Sequence, residues 1–117
     1  MPWTMKQFDL YLADLNPRMG TESGKVRPVL IVQTDLLNGL LESTLVCPIT
    51  TQIIGEDNPL RYFLKKGSAG LEKDSEIMID QVRAIDNRRL KTHLGTLDEC
   101  HHTSIKQKLA DVFDLGV

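Results

Sequence analysis

The stretch "QFDLYLADL", Gln7 to Leu15, alternates. Phe8, Leu10 and Leu12 fall on one side and Asp9, Tyr11 and Ala13 on the other, the period of a half-buried strand. "NPRMGTESGK" is dense in Gly, Pro, Asn and Ser and reads as a long loop. "RPVLIVQT" is a second strand, with Pro28 tolerable only at its beginning. "DLLNGLL" is too short for an independent helix and reads as a turn or two packed on the sheet. "STLVCPIT" is a third strand, "LRYFLKK" a fourth and "SEIMIDQVRAI" a fifth, with "TQIIGEDNP" and "GSAGLEKD" between them as loops and "DNRRL" and "KTHLGTL" after them as short connecting pieces. "TLDE", Thr96 to Glu99, has the form of a capping box. The helix that follows carries Ile105, Leu109, Val112 and Phe113 as one apolar stripe. The pattern predicts a mainly β domain with α: a small, strongly curled antiparallel sheet or open barrel with a C-terminal helix, spanning 1–117 as one unit.

Composition fits this picture. A chain of 117 residues with 41% hydrophobic and 26% charged residues has enough core to fold without staples. No apolar run approaches the ~20 residues of a membrane span, so no membrane partner is expected. The start, "MPWTMKQFDL", lacks the pattern of a signal peptide. Cys47 and Cys100 sit in unlike contexts and suggest no disulfide framework, which points to the cytoplasm. The net charge of −2 does not exclude nucleic acid. Residues 1–91 hold 12 Lys/Arg against 12 Asp/Glu, and the acidic excess lies in 92–117, so a neutral body can carry a basic groove.

The polar residues at strand ends carry the candidate chemistry. "GKVRPVLIVQ" sets Lys25 and Arg27 at the mouth of an apolar strand, where a guanidinium is well placed to grip an anion. Thr50 and Thr51 close the third strand, while Asp80, Gln81 and Arg83 interrupt the fifth. In a compact sheet such ends converge on one rim. Taken singly, Arg27 also reads as a solvated surface residue and Thr50 as an ordinary strand residue. His101 and His102 look metal-like after Cys100, but neighbours on a helix diverge by about 100° and cannot easily share one ion, so they read as a solvated or half-buried pair. Arg88, Arg89 and Lys91 read as a solvated turn or as RNA contacts.

Four blocks in order and spacing, "YLADLNP", "GTESGKVRPVLIVQ", "LVCPIT" and "DQVRAID..RL", resemble the MazF/PemK family of toxin endoribonucleases. The resemblance implies an SH3-like curled barrel of the CcdB/MazF type, a homodimer, and metal-independent, sequence-selective cleavage of single-stranded mRNA. It also implies a cognate antitoxin that blocks the site, with DNA contacted only through the antitoxin complex. On matching positions it assigns catalysis to Arg27 and Thr50, with Glu22 and Asp80 as the accompanying acids, and RNA contacts to Thr21, Lys25, Thr51, Gln81 and Arg83. The chain departs from the family at two points. Met78 stands where some members carry an arginine, and the first strand opens Gln7-Phe8-Asp9 rather than Arg-Gly-Asp.

An arginine suits such chemistry because RNA brings its own nucleophile, the 2′-hydroxyl. The protein must orient the attack and stabilise charge on the phosphorane oxygens, for which a rigid two-donor fork is apt. Either Glu22 or Asp80 could take the hydroxyl proton or hold Arg27 in place. The competing function on the same scaffold is a CcdB-like gyrase poison that binds without hydrolysis.

Overall fold

Among the described residues, seven strands form the sheet: β1 (Asp9–Asp14), β2 (Val26–Ile31), β3 (Ser43–Thr50), β4 (Arg61–Leu64), β5 (Ser75–Met78), β6 (Arg83–Asp86) and β7 (Leu90–Thr96), followed by helix α1 (His102–Phe113). The computed structural model describes residues 4–17, 19–21, 25–55 and 58–116. All pairings are antiparallel, in the order β4-β5-β3-β2-β1-β7, with β6 also paired to β3. β3 uses one edge twice, meeting β6 through Ser43–Val46 and β5 through Ile49 and Thr50. The expected curled antiparallel sheet with a C-terminal helix is present, and the sheet is not closed.

Two more strands form than the five expected. "SEIMIDQVRAI" is broken by a 3₁₀ turn at Ile79–Gln81 into β5 and β6. "KTHLGTL" is not a connector but the body of β7, which pairs with β1. Gly95 is there for clearance: a Cβ on it would lie 2.7 Å from the Ala69 carbonyl, and one on Gly70 would lie 2.3 Å from the Leu94 oxygen. The 3₁₀ turn Ser68–Gly70 is thus pressed directly onto β7.

The capping box does not form. Thr96 belongs to β7 and donates its hydroxyl to Asp9 at 2.8 Å. Asp98 instead accepts from the Cys100 amide and caps the turn Glu99–His101 ahead of α1.

Alternation divides the apolar residues between the two faces of the sheet. One face supplies the larger cluster, including Leu10, Leu30, Cys47, Ile49, Ile77 and Ile79, which Ile105 of α1 joins and against which Leu109 and Val112 pack. Phe113, expected in the same stripe, is exposed. The other face supplies Ala13, Val29, Ile31, Val46 and Ile85, with Leu15 and Leu90. β1 is therefore buried on both sides rather than half-buried. No described helix is long and apolar enough to cross a membrane.

The Gln7-Phe8-Asp9 departure falls on a special backbone position. Phe8 has φ 73°, a left-handed conformation natural to glycine and costing a bulky residue about 1–3 kcal/mol. Its ring is buried and stacked on His102 with centroids 3.7 Å apart, and Lys106 stands over it at 5.8 Å. Burying a phenylalanine gains about 1.5–3 kcal/mol, so burial of this ring offsets the strain. His102 is fixed in turn by its Nε2 donating to the Leu97 carbonyl at 3.0 Å, and His101 is hydrogen-bonded to Tyr62 at 2.7 Å. Both histidines serve packing.

Candidate active site

The strand registers set the site's geometry. Arg27 lies opposite Ala13 in β1, and Thr50 lies opposite Glu76 in β5. Between β2 and β3 the last ladder pair is Val29 with Pro48. Two residues further along each strand, on the same face by the two-residue period, stand Arg27 and Thr50. One row of side chains thus runs Ala13, Arg27, Thr50, Glu76 across four strands. Arg27 and Thr50 occupy its middle, where β2 and β3 are no longer laddered. Both are half-buried, mounted on strands whose next inward residues are fully buried. The row continues the face that carries the smaller core cluster.

The Thr50 hydroxyl accepts from the Gln52 amide at 3.1 Å, which orients the oxygen and leaves its own proton for donation. Glu76 is 2% exposed and its carboxylate is fully engaged. It pairs with Arg61 at 3.0 Å and accepts from the amides of Ile54 and Gly55 at 3.2 and 3.4 Å. It therefore ties down the chain leaving Thr50. Sequence reasoning missed Glu76; the available signal was a carboxylate inside the apolar run "SEIM". Glu76→Ala would leave Arg61, whose side chain is 17% exposed, without this partner and strip two amides of theirs. A loss of about 3 kcal/mol is expected, read as a lower urea midpoint at unchanged slope.

The remaining sequence candidates are distributed around this row. Arg83 in β6 lies opposite Val46 and so faces the same side as Thr50. Lys25 is exposed, has φ 71°, and immediately precedes β2; Thr21 is exposed in the preceding loop. Glu22 lies outside the described residues. Asp80 is exposed and Gln81 half-buried on the turn between β5 and β6. The charge of Asp80 adds to burial, the larger cause, in pushing the Cys47 thiol up to about 12, so that thiol is inert. Thr51 turns to the opposite face, where it lines a groove of about 420 Å³ with Leu12, Pro28 and Ile49. The structure therefore brings Arg27, Thr50 and Arg83 to one face and sets Thr51 on the other.

The arrangement, a guanidinium and a hydroxyl on rigid strands just past the last ladder pair between them, can hold two oxygens of one phosphate. The sequence profile of the PemK-like, MazF-like toxins of type II toxin–antitoxin systems matches residues 6–113. The endoribonuclease EndoA of Bacillus subtilis is 39% identical over 95 residues, covering 81% of this chain and 82% of that protein. Among solved structures, MazF of Deinococcus radiodurans superposes with a TM-score of 0.83 at 22% identity, covering 96% of this chain and 98% of that one. A mycobacterial endoribonuclease in complex with its cognate antitoxin superposes at 0.79 with 17% identity, covering 97% and 99%. Relatives of this kind do not favour the gyrase-poison alternative. With a profile spanning nearly the whole chain and curated relatives that are endoribonucleases, this chain belongs to the PemK-like, MazF-like family and is a toxin endoribonuclease of a toxin–antitoxin system.

Proposed function

We propose that this endoribonuclease cuts single-stranded mRNA, sequence-selectively, by driving the RNA's own 2′-hydroxyl onto the neighbouring phosphate, with Arg27 and Thr50 as the groups that hold the phosphorane and no metal ion required. What supports this reading is the juxtaposition of Arg27 and Thr50 on one face where β2 and β3 part. The guanidinium neutralises developing charge with paired donors, and the Thr50 proton adds a third. Glu22 and Asp80 are the two carboxylates available to take the proton of the attacking hydroxyl or to hold Arg27 in place. Thr21, Lys25, Gln81 and Arg83 supply contacts to the strand, whereas Thr51 faces the other side of the sheet and is left out of them. Arginine's high pKa suits it to charge stabilisation more than to proton donation.

The protein acts as a homodimer held in check by a cognate antitoxin, and any DNA contact runs through that complex. Exposed Leu36, Leu37, Leu40, Leu41 and Leu45 form an apolar surface of the kind that protein contacts cover; light scattering at micromolar concentration measures the mass. The test of the chemistry is incubation of purified protein with a long RNA in EDTA, followed by mapping of the new ends. Cleavage at discrete sites leaving 5′-hydroxyl ends is expected. Intact RNA in EDTA, with cleavage restored by magnesium, would overturn the metal-independent reading.

A further inference from the structure

The motif "DNRR" is solvated at Arg88, whose side chain is 84% exposed, but not throughout. Its 3₁₀ turn, Asn87–Arg89, is anchored from inside the protein. Asn87 is 1% exposed, donates its Nδ2 to the Leu41 carbonyl at 2.8 Å, accepts from the Thr44 hydroxyl, and donates its main-chain N–H to the Glu42 carbonyl at 2.9 Å. Asp86 caps the turn by accepting the Arg88 amide at 2.8 Å and holds the Arg88 guanidinium through Nε and Nη2, both at 3.0 Å. Arg88 is thereby occupied outward.

Arg89 reaches elsewhere. Its Nη1 donates to the carbonyls of both Asp14 and Asn16, where β1 leaves the sheet. The same few residues are stitched to the start of β2. The Leu15 amide donates to the Lys25 carbonyl and the Lys25 amide to Asn16 Oδ1, each at 2.9 Å, and Asp14 is laddered to Val26. Lys25 itself holds a left-handed backbone, φ 71°, which a non-glycine residue keeps only where its surroundings over-determine it. Arg27 stands two residues beyond.

We infer that Arg89 is a positioning residue: its guanidinium clamps the two carbonyls at the foot of the β1–β2 loop and so fixes the backbone from which Arg27 works. The clamp is built from a buried mount, one guanidinium nitrogen that donates twice, and two carbonyls, and it reaches across 75 residues of sequence. Its link to activity rests on the role proposed for Arg27. A working group displaced by about 1 Å can lose on the order of 10²-fold in rate, so a residue that touches no substrate can still govern turnover.

Arg89→Met keeps the stem and removes the donors, whereas Arg89→Lys keeps charge and donors without the planar fork. In Arg89→Met, amide hydrogen exchange at Leu15 and Lys25 is expected to quicken while β3 and α1 keep their protection. In the same variant kcat should fall about 10–10²-fold with KM little changed. Arg89→Lys should lie between it and the wild type in both readouts. Unchanged exchange at Leu15 and Lys25 would overturn the clamp. Faster exchange with unchanged kcat would overturn its link to the site. If Arg89 instead touched RNA phosphate, KM would rise, the salt dependence of binding would fall by about one charge, and exchange would stay as it was, which also overturns the proposal. Should Arg27→Ala cleave like the wild type, the role of Arg27 fails, while exchange at Leu15 and Lys25 still reports on the clamp.

Discussion

Arg27→Ala is expected to lose on the order of 10³-fold or more in kcat while remaining folded and able to bind antitoxin. Removing one well-placed donor to a transition-state oxyanion commonly costs about 10²–10³-fold, and arginine brings a charge as well as two donors. Its neighbours explain why the fold should survive. Ala13 opposite and Val29 on the same strand belong to a core cluster of apolar residues, and the ladder between β1 and β2 depends on main-chain atoms. Arg27→Lys should recover little, since an ammonium cannot span two oxygens in the fork geometry. Thr50→Ala should lose less, about 10²-fold, because it removes a single neutral donor; part of that loss comes from freeing the Gln52 amide. Thr50→Ser keeps both functions and should restore activity. Circular dichroism and antitoxin titration separate lost chemistry from lost fold. An active Arg27→Ala beside an inactive Thr50→Ala would reverse the roles.

The sequence carried the strands near the site well because their patterns are local. Arg27 before Pro28 and an apolar run, and Thr50 after Pro48 and Ile49, each mark a strand end. Their facing one another depends on register, which alternation alone does not fix between two strands. What sequence reading could not see was the employment of polar groups over long separations. Thr96 has the local form of a helix cap, yet its hydroxyl is drawn to Asp9, 87 residues away. Glu76 sits in a wholly buried strand and is explained only by Arg61 and the amides of the loop after β3. Arg89 looked like one more surface cation because its carbonyl partners are main-chain atoms that leave no mark in composition. Phe8 is the converse case. A departure from the family's glycine at that position gains a physical reason once its backbone angle and its stacking on His102 are known.

An RNA oligonucleotide with deoxyribose just 5′ of the cut is expected to bind nearly as well as the intact strand, to resist cleavage, and to compete with it. The substitution removes one hydroxyl, the nucleophile, and keeps the phosphate, the bases and most of the contact surface. Arg27 and Thr50 are placed to hold the phosphate, so binding should persist while the reaction lacks its attacking group. Internal attack also fixes the products of the unmodified strand. The bond to the 5′ oxygen breaks, leaving a 5′-hydroxyl on one fragment and a cyclic or 3′ phosphate on the other. An activated-water mechanism with two metal ions makes the opposite forecast: the deoxy strand is cut, and EDTA stops the reaction. Mapping both strands by gel and mass spectrometry, with and without EDTA, distinguishes the two. Cutting of the deoxy-substituted strand at the same position would remove the 2′-hydroxyl from the mechanism, and with it the reason a guanidinium and one hydroxyl suffice at the parting of β2 and β3.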